Sequence, residues 1–225
     1  MEILDIVDEN GVPTGQTVDR EKAHQEGIRH RTSHVWVARL REEHIIKQTD
    51  KRIDLKEDDC MPRRMLAGVE LLLQRRSPDK DSHPGCLDIS SAGHIPAGCG
   101  YVESALRELQ EELGITATAS ELHFCGKRRK AYQKQFHDTI FSDNQVSNVY
   151  VMMRDIPAEE IIYQRSEISS VCWMPFYAVY EMVEQDDAYN RLGNNMAKSC
   201  IALEEMQLLR NYLCDHMDVL TGKLA

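Results

Sequence analysis

Gly93-His-Ile-Pro-Ala-Gly98-Cys99-Gly100-Tyr-Val-Glu-Ser-Ala-Leu-Arg107-Glu108-Leu-Gln-Glu111-Glu112-Leu-Gly114-Ile115 decides how the rest of this chain is read. Gly93, Gly98 and Gly100 make its first third a loop. The remainder predicts one amphipathic helix over about Val102 to Leu113. Val102, Ala105, Leu106, Leu109 and Leu113 recur there at helical spacing. Gly114 closes the helix, because glycine enters the left-handed conformation without steric cost. Glu108, Glu111 and Glu112 stand at i, i+3 and i+4, so at about 3.6 residues per turn they share one face. Three like charges at that spacing repel one another. A hard divalent cation with oxygen ligands is the natural compensation.

The stretch resembles the Nudix box, a glycine loop followed by Arg-Glu-apolar-x-Glu-Glu-x-Gly-apolar. Gly93 takes the first position and Arg107 to Ile115 fits the whole second half, while Cys99 stands where the family's first Glu belongs. The resemblance implies an α/β fold, the Nudix α/β/α sandwich with a mixed sheet, over residues 1–185. Residues 186–225 form a C-terminal helical extension. It also implies a hydrolase in which water cleaves a small diphosphate substrate with Mg2+ or Mn2+ as cofactor. Glu108, Glu111 and Glu112 become the metal ligands, with Glu108 also a candidate base. The carbonyl of Ala92 or Gly93 would complete the coordination. Glu167, ahead of a strand containing Trp173, takes the place of a further catalytic carboxylate. Arg76, matching the Arg of the family's Leu-x-Gln-x-Arg-Ser run, falls on the substrate side with Arg107 and Gly93. Arg107 is also placed to brace the acidic face through i, i+4 pairs. Cys99 is a soft donor and removes a negative charge, so weakened or altered metal use is expected.

A narrower likeness covers His24, His30-Arg-Thr-Ser-His34-Val-Trp-Val and Asp88-Ile-Ser-Ser-Ala-Gly-His94. These resemble the branch that holds type I isopentenyl-diphosphate isomerases and the hydrolases close to them. In the isomerases, histidines matching His24, His30 and His94 bind a metal. The catalytic Cys would fall at Ala92 and an essential Glu at Gln145, and both are missing here. Cys86 and Cys99 lie at other offsets. Three readings follow: a hydrolase acting on an isoprenyl diphosphate or nucleoside diphosphate derivative, an isomerase-like enzyme, or a catalytically impaired protein that binds a phosphorylated ligand. The histidines either ligate a metal or serve as hydrogen-bonding groups at strand ends.

The 225 residues suffice for a domain with a sizeable core, with or without an appendage. A net charge of −10 argues against general nucleic-acid binding, which relies on Lys and Arg at phosphates. No apolar run is long enough to span a membrane, and the N-terminus lacks a basic-then-apolar leader. The seven cysteines show no C-x-x-C pairing and read as reduced thiols of a cytoplasmic protein.

In chain order, Glu2–Val7 reads as a strand, Asn10-Gly11 and Pro13-Thr14-Gly15 as turns, and Asp19–Gln25 as a short helix. Strands follow at Ser33–Leu40, Val69–Gln74 and Cys86–Ser90. The charged insertion 41–64 separates the first two, with Ile45-Ile46 and Ile53–Leu55 as a candidate hairpin. Glu121–Lys134 and Gln145–Arg154 read as antiparallel strands around a turn at Ser142-Asp143-Asn144. Lys127-Arg128-Arg129-Lys130 reads as a solvated basic run or a substrate aid. A strand at Ser169–Met174 and a helix from Pro175 to about Val183 follow. A helical tail over about Asn195–Leu220 is a candidate for packing on the domain or for a homodimer contact.

Overall fold

The computed structural model describes residues 2–41, 65–80, 82–136, 139–191 and 197–220. The expected hairpin within 41–64 lies outside them. Strand β3 (His30–Leu40) is the centre of a seven-stranded mixed sheet with β4 (Val69–Arg76), β5 (Leu87–Asp88), β6 (Ser91–His94), β7 (His123–Phe136), β8 (Thr139–Met153) and β9 (Ile168–Pro175). One edge of β3 runs parallel to β8, from His30 opposite Gln145 to Ala38 opposite Met153. Its other edge is shared: β6 pairs Thr32 to Val35 and β4 pairs Ala38 to Leu40. A strand so enclosed is buried on both faces, which explains why nearly every residue of β3 is buried.

Alternation along β3 sends successive side chains to opposite faces. Val35 and Val37 pack with Ala105, Leu109 and Leu113 of helix α2 (Tyr101–Leu113). Trp36 and Ala38 pack with Phe176 and Val183 of α3 (Phe176–Arg191) and with Met206, Leu209 and Leu213 of α4 (Leu203–Leu220). The result is α/β/α, and the periodicity of α4 is absorbed by this core. A separate hairpin, β1 (Ile3–Val7) and β2 (Pro13–Asp19), leads into α1 (Arg20–Glu26), capped by the Asp19 side chain and ended by Gly27 at φ 68°.

Four expectations are corrected. Ser142-Asp143-Asn144 is no turn: the three residues pair with Gln133, Tyr132 and Ala131 inside β8. Turn propensity yields there to a long ladder, and Asn144 is tied further by hydrogen bonds with Arg29 and the Gly27 carbonyl. Pro13-Thr14-Gly15 begins a strand, which Pro tolerates as the first residue of an edge. Cys86–Ser90 divides into β5 and β6, because Asp88 ends one pairing and Ser91 opens the next. The tail helix starts at Leu203.

Candidate active site

A cavity of about 1300 Å3 lies where α1, β3, β6, β7, β8, the C-terminal half of α2 and the first turn of α4 converge. Strand β6 divides it: Gly93 faces α2, and Ala92 and His94 face the opposite side of the sheet. Glu108, Glu111, Glu112, Arg107, Arg76, Glu167 and Gly93 all line it, so the fold brings these seven residues to one cavity.

Helix α2 delivers the carboxylates. Its N-terminus is tied back by the Glu103 carboxylate, which accepts from the Gly100 amide, and its C-terminus by Gly114 at φ 66°. Glu111 remains exposed and Glu108 is mostly buried. Burial pushes the Glu108 carboxyl up, against the pull of Arg107. Arg107 Nη2 donates to Glu108 Oε1 at 2.7 Å and to the His94 carbonyl at 3.2 Å, and its Nε lies 3.8 Å from Glu111 Oε2. It braces the acidic face and pins α2 to β6. Glu112 is deepest, and burial pushes its carboxyl up to about 8. Ser91 and the Ala92 amide face it, yet Glu112 Oε2 and Ser91 Oγ close no hydrogen bond among the described residues. A buried carboxylate oxygen without a partner, beside two more carboxylates and the backbone of β6, is a donor set for a hard divalent cation.

Gly93 is required by contact. A Cβ built on it would fall on the Glu108 carboxyl. Gly93→Ala is therefore expected to displace Glu108 and cut metal-dependent turnover roughly 10²-fold, since small misplacement of a catalytic group has that effect. Circular dichroism should show the fold retained; turnover within a factor of two of the parent would contradict this account.

Arg76 is more occupied than its sequence position implies. It donates to Asp88 Oδ2 at 3.0 Å, to the Ser82 carbonyl at 3.1 Å and to Ser82 Oγ at 3.2 Å. Glu167 forms an ion pair with Lys80, and the Gln164 amide in the same loop donates to the Glu112 carbonyl at 2.9 Å. Cys99 does not line the cavity; the fold uses its carbonyl, which accepts from Arg31.

Across β6, His24, His30 and His94 each bring one ring nitrogen within 4.8 Å of the others. His30 Nδ1 donates to the Ile28 carbonyl at 2.9 Å, which leaves His30 Nε2 buried and unpartnered among the described residues. His24 and His94 Nε2 atoms are 3.1 Å apart. This cluster has the donors for an imidazole-binding metal such as Zn2+ or Mn2+. Burial lowers all three, helped by repulsion from His30 at His24 and from Arg20 and the other histidines at His94; His24 falls to about 4 and His94 well below its ordinary value. The unfolded chain takes up these protons below about pH 6.5, and the folded chain resists. Stability from these groups is therefore present above about pH 6.5 and lost as pH falls toward 4. Urea midpoints of the metal-free protein should drop across that window, and His94→Asn should make the slope shallower; an unchanged slope would remove the histidines as its cause.

Two site groups escaped the sequence reading. Glu205 of α4, fully buried, accepts from His34 Nδ1 at 2.9 Å, Trp36 Nε1 at 3.1 Å and Arg128 Nη1 at 2.8 Å. Asp143, taken for a turn residue, lies 3.6 Å from Lys130 Nζ and 3.9 Å from His24.

A mixed sheet between helical layers, with a glycine loop feeding a carboxylate-bearing helix into a deep cleft, is the architecture of the Nudix fold. The NUDIX domain family matches residues 64–192, more than half of the chain, which therefore belongs to that family. Nudix hydrolase 3 of Arabidopsis thaliana is 32% identical over 196 residues, 83% of this chain but 21% of that protein. An uncharacterised Nudix hydrolase of Clostridium acetobutylicum is 32% identical over 74% of this chain and 66% of its own length. The chain thus spans less than two thirds of either relative. Among solved structures, DR0079 of Deinococcus radiodurans shares the fold with a TM-score of 0.54 at 20% identity, over 92% of this chain and 98% of that one. The NUDIX domain of Shewanella oneidensis NrtR, complexed with ADP ribose, follows at 0.51 and 13% identity over 87% and 99%. Among the described residues no helix is long and apolar enough to cross a membrane.

Proposed function

We propose that this Nudix hydrolase cleaves a small diphosphate with a divalent cation, Mg2+ or Mn2+, held by Glu108, Glu111 and Glu112 and by the backbone of Ala92 or Gly93. The observation that carries the reading is Glu112, a buried carboxyl with an oxygen unpartnered among the described residues, beside other oxygen donors. When bound, the cation neutralises diphosphate charge and makes water more acidic. The chain does the rest. Arg107 fixes Glu108, which accepts the proton of the attacking water. The water oxygen bonds to phosphorus, the bridging P–O bond breaks, and the leaving phosphate or alcohol takes a proton from solvent. Lys80, held by Glu167, and Arg76, held by Asp88, set positive charge along the approach of the phosphates.

Ala92 and Gln145 lack the thiol and carboxylate that an isomerase needs, and the carboxylates of α2 favour hydrolysis. Incubation with Mg2+ or Mn2+ and a panel of diphosphates tests this. Release of phosphate or monophosphate is expected. Interconversion of isopentenyl and dimethylallyl diphosphate without phosphate release would replace the reading with the isomerase. Binding of the panel without turnover would make the chain a binding protein.

A further inference from the structure

The sheet face opposite α2 changes character along its length. Under α3 and α4 it is apolar, with Trp36, Ala38, Val149 and Val151 in the core. Farther along the same strands the register sets polar residues in successive rows: Arg128 beside Ser147 and Thr32, then Lys130 beside Gln145, then Tyr132 beside Asp143. Alternation splits the basic run of β7. Lys127 and Arg129 turn the other way and donate to the carbonyls of Asn10 and Glu9, whereas Arg128, Lys130 and Tyr132 face the cavity. The change falls where α4 begins, and its Glu205 anchors Arg128 at the boundary.

A sheet face on this side of a core is ordinarily apolar, so a run of cations, hydroxyl, amide and carboxylate facing a cavity calls for a ligand. Laying a prenyl chain there would strip water from these groups and return no hydrogen bonds. A polyol with a further acid group would pair with them. Lys130 is the reachable cation: about one third of its side chain is exposed (34%), with its Nζ 4.3 Å from the Tyr132 ring centre and 3.6 Å from Asp143 Oδ2. Tyr132 and Asp143 hold the ammonium in place while leaving it open to the cavity.

We propose that this platform is a specificity subsite for a hydroxylated, acid-bearing group at the end of the substrate remote from the cleaved diphosphate, with Lys130 reading the acid and Gln145 and Asp143 the hydroxyls. The inference rests on the hydrolase reading and selects, within it, polar substrates over prenyl ones. Two probes test it: 5-phosphoribosyl 1-diphosphate, a sugar with a remote phosphate, and dimethylallyl diphosphate, which has neither hydroxyl nor acid. Calorimetry with Mg2+ gives the two dissociation constants and, separately, phosphate release gives turnover. The sugar probe is expected to bind roughly 10-fold tighter or more, the worth of a charge-assisted hydrogen bond. Lys130→Met should collapse that ratio toward one, and Lys130→Arg should keep most of it. A ratio near one in the parent protein, preference for the prenyl probe, or a ratio untouched by Lys130→Met overturns the subsite. Preference without phosphate release leaves the subsite standing and removes the hydrolase. Release without preference does the reverse, and binding of neither probe removes both.

Discussion

Glu112→Gln is expected to lower kcat roughly 10³-fold, the scale of losing a group on which metal-assisted proton and charge handling depends. The same change should leave the metal-free fold as stable as before. Burial holds the Glu112 carboxyl at about 8, so at neutral pH the metal-free protein carries it mostly protonated. A carboxamide is close to that neutral acid in shape and charge, and Ser91 and the Ala92 amide can face either. Stability and activity should therefore separate: an unchanged thermal midpoint without metal, and loss of both turnover and the rise in midpoint expected of the parent protein with Mg2+. Phosphate release and thermal unfolding with and without Mg2+ measure the two. Turnover within about threefold of the parent would remove Glu112 from the metal site. Glu111→Gln should also lose activity, though Glu111 is more than half exposed and its loss costs no buried contact.

How much of this was legible in the sequence depends on whether the signal was local. The glycine loop, the helix, its Gly114 stop and the shared carboxylate face are all set within a few residues of one another, and all appear as read. The turn expected at Ser142-Asp143-Asn144 failed because the β7–β8 ladder runs past it to Phe136 opposite Thr139, and because Asn144 is tied to Gly27 and Arg29, which are distant in sequence. The basic run Lys127–Lys130 could have been divided by its strand period of two, since β7 was itself expected there. Glu205 carried a readable trace as well. It stands four and eight residues before Leu209 and Leu213, on the apolar stripe of its own helix. A carboxylate on such a stripe announces a buried partner. Its identity, Arg128 on one side and His34 and Trp36 on the other, is fixed only when the sheet forms. The platform of Arg128, Lys130 and Tyr132 was hidden for the same reason, because its rows are assembled from three strands.

Glu205→Ala should cost about 3–5 kcal/mol, the usual result of removing one partner from a buried ion pair. Burial pushes the Glu205 carboxyl up, but His34 and Arg128 outweigh it and hold it at about 2, so it is charged throughout the working range. Its removal leaves Arg128, 6% exposed, and the wholly buried Trp36 indole without their acceptor. Glu205→Gln keeps an acceptor for Trp36 and loses only the charge, so its cost should be smaller. The ionic origin is then isolated by a second change: Arg128→Met combined with Glu205→Leu removes both charges and should lose less than the two single changes added together. Urea unfolding of Glu205→Ala, Glu205→Gln, Glu205→Leu, Arg128→Met and the double change measures this. A Glu205→Ala loss under about 1 kcal/mol, within the range of an exposed pair, would mean that α4 is held by its apolar stripe alone. If the loss is large and the double change recovers part of it, the first turn of α4 is fastened to the cavity floor by charge. The C-terminal helix would then be a structural part of the substrate cleft, although it lies beyond the residues 64–192 that the family defines.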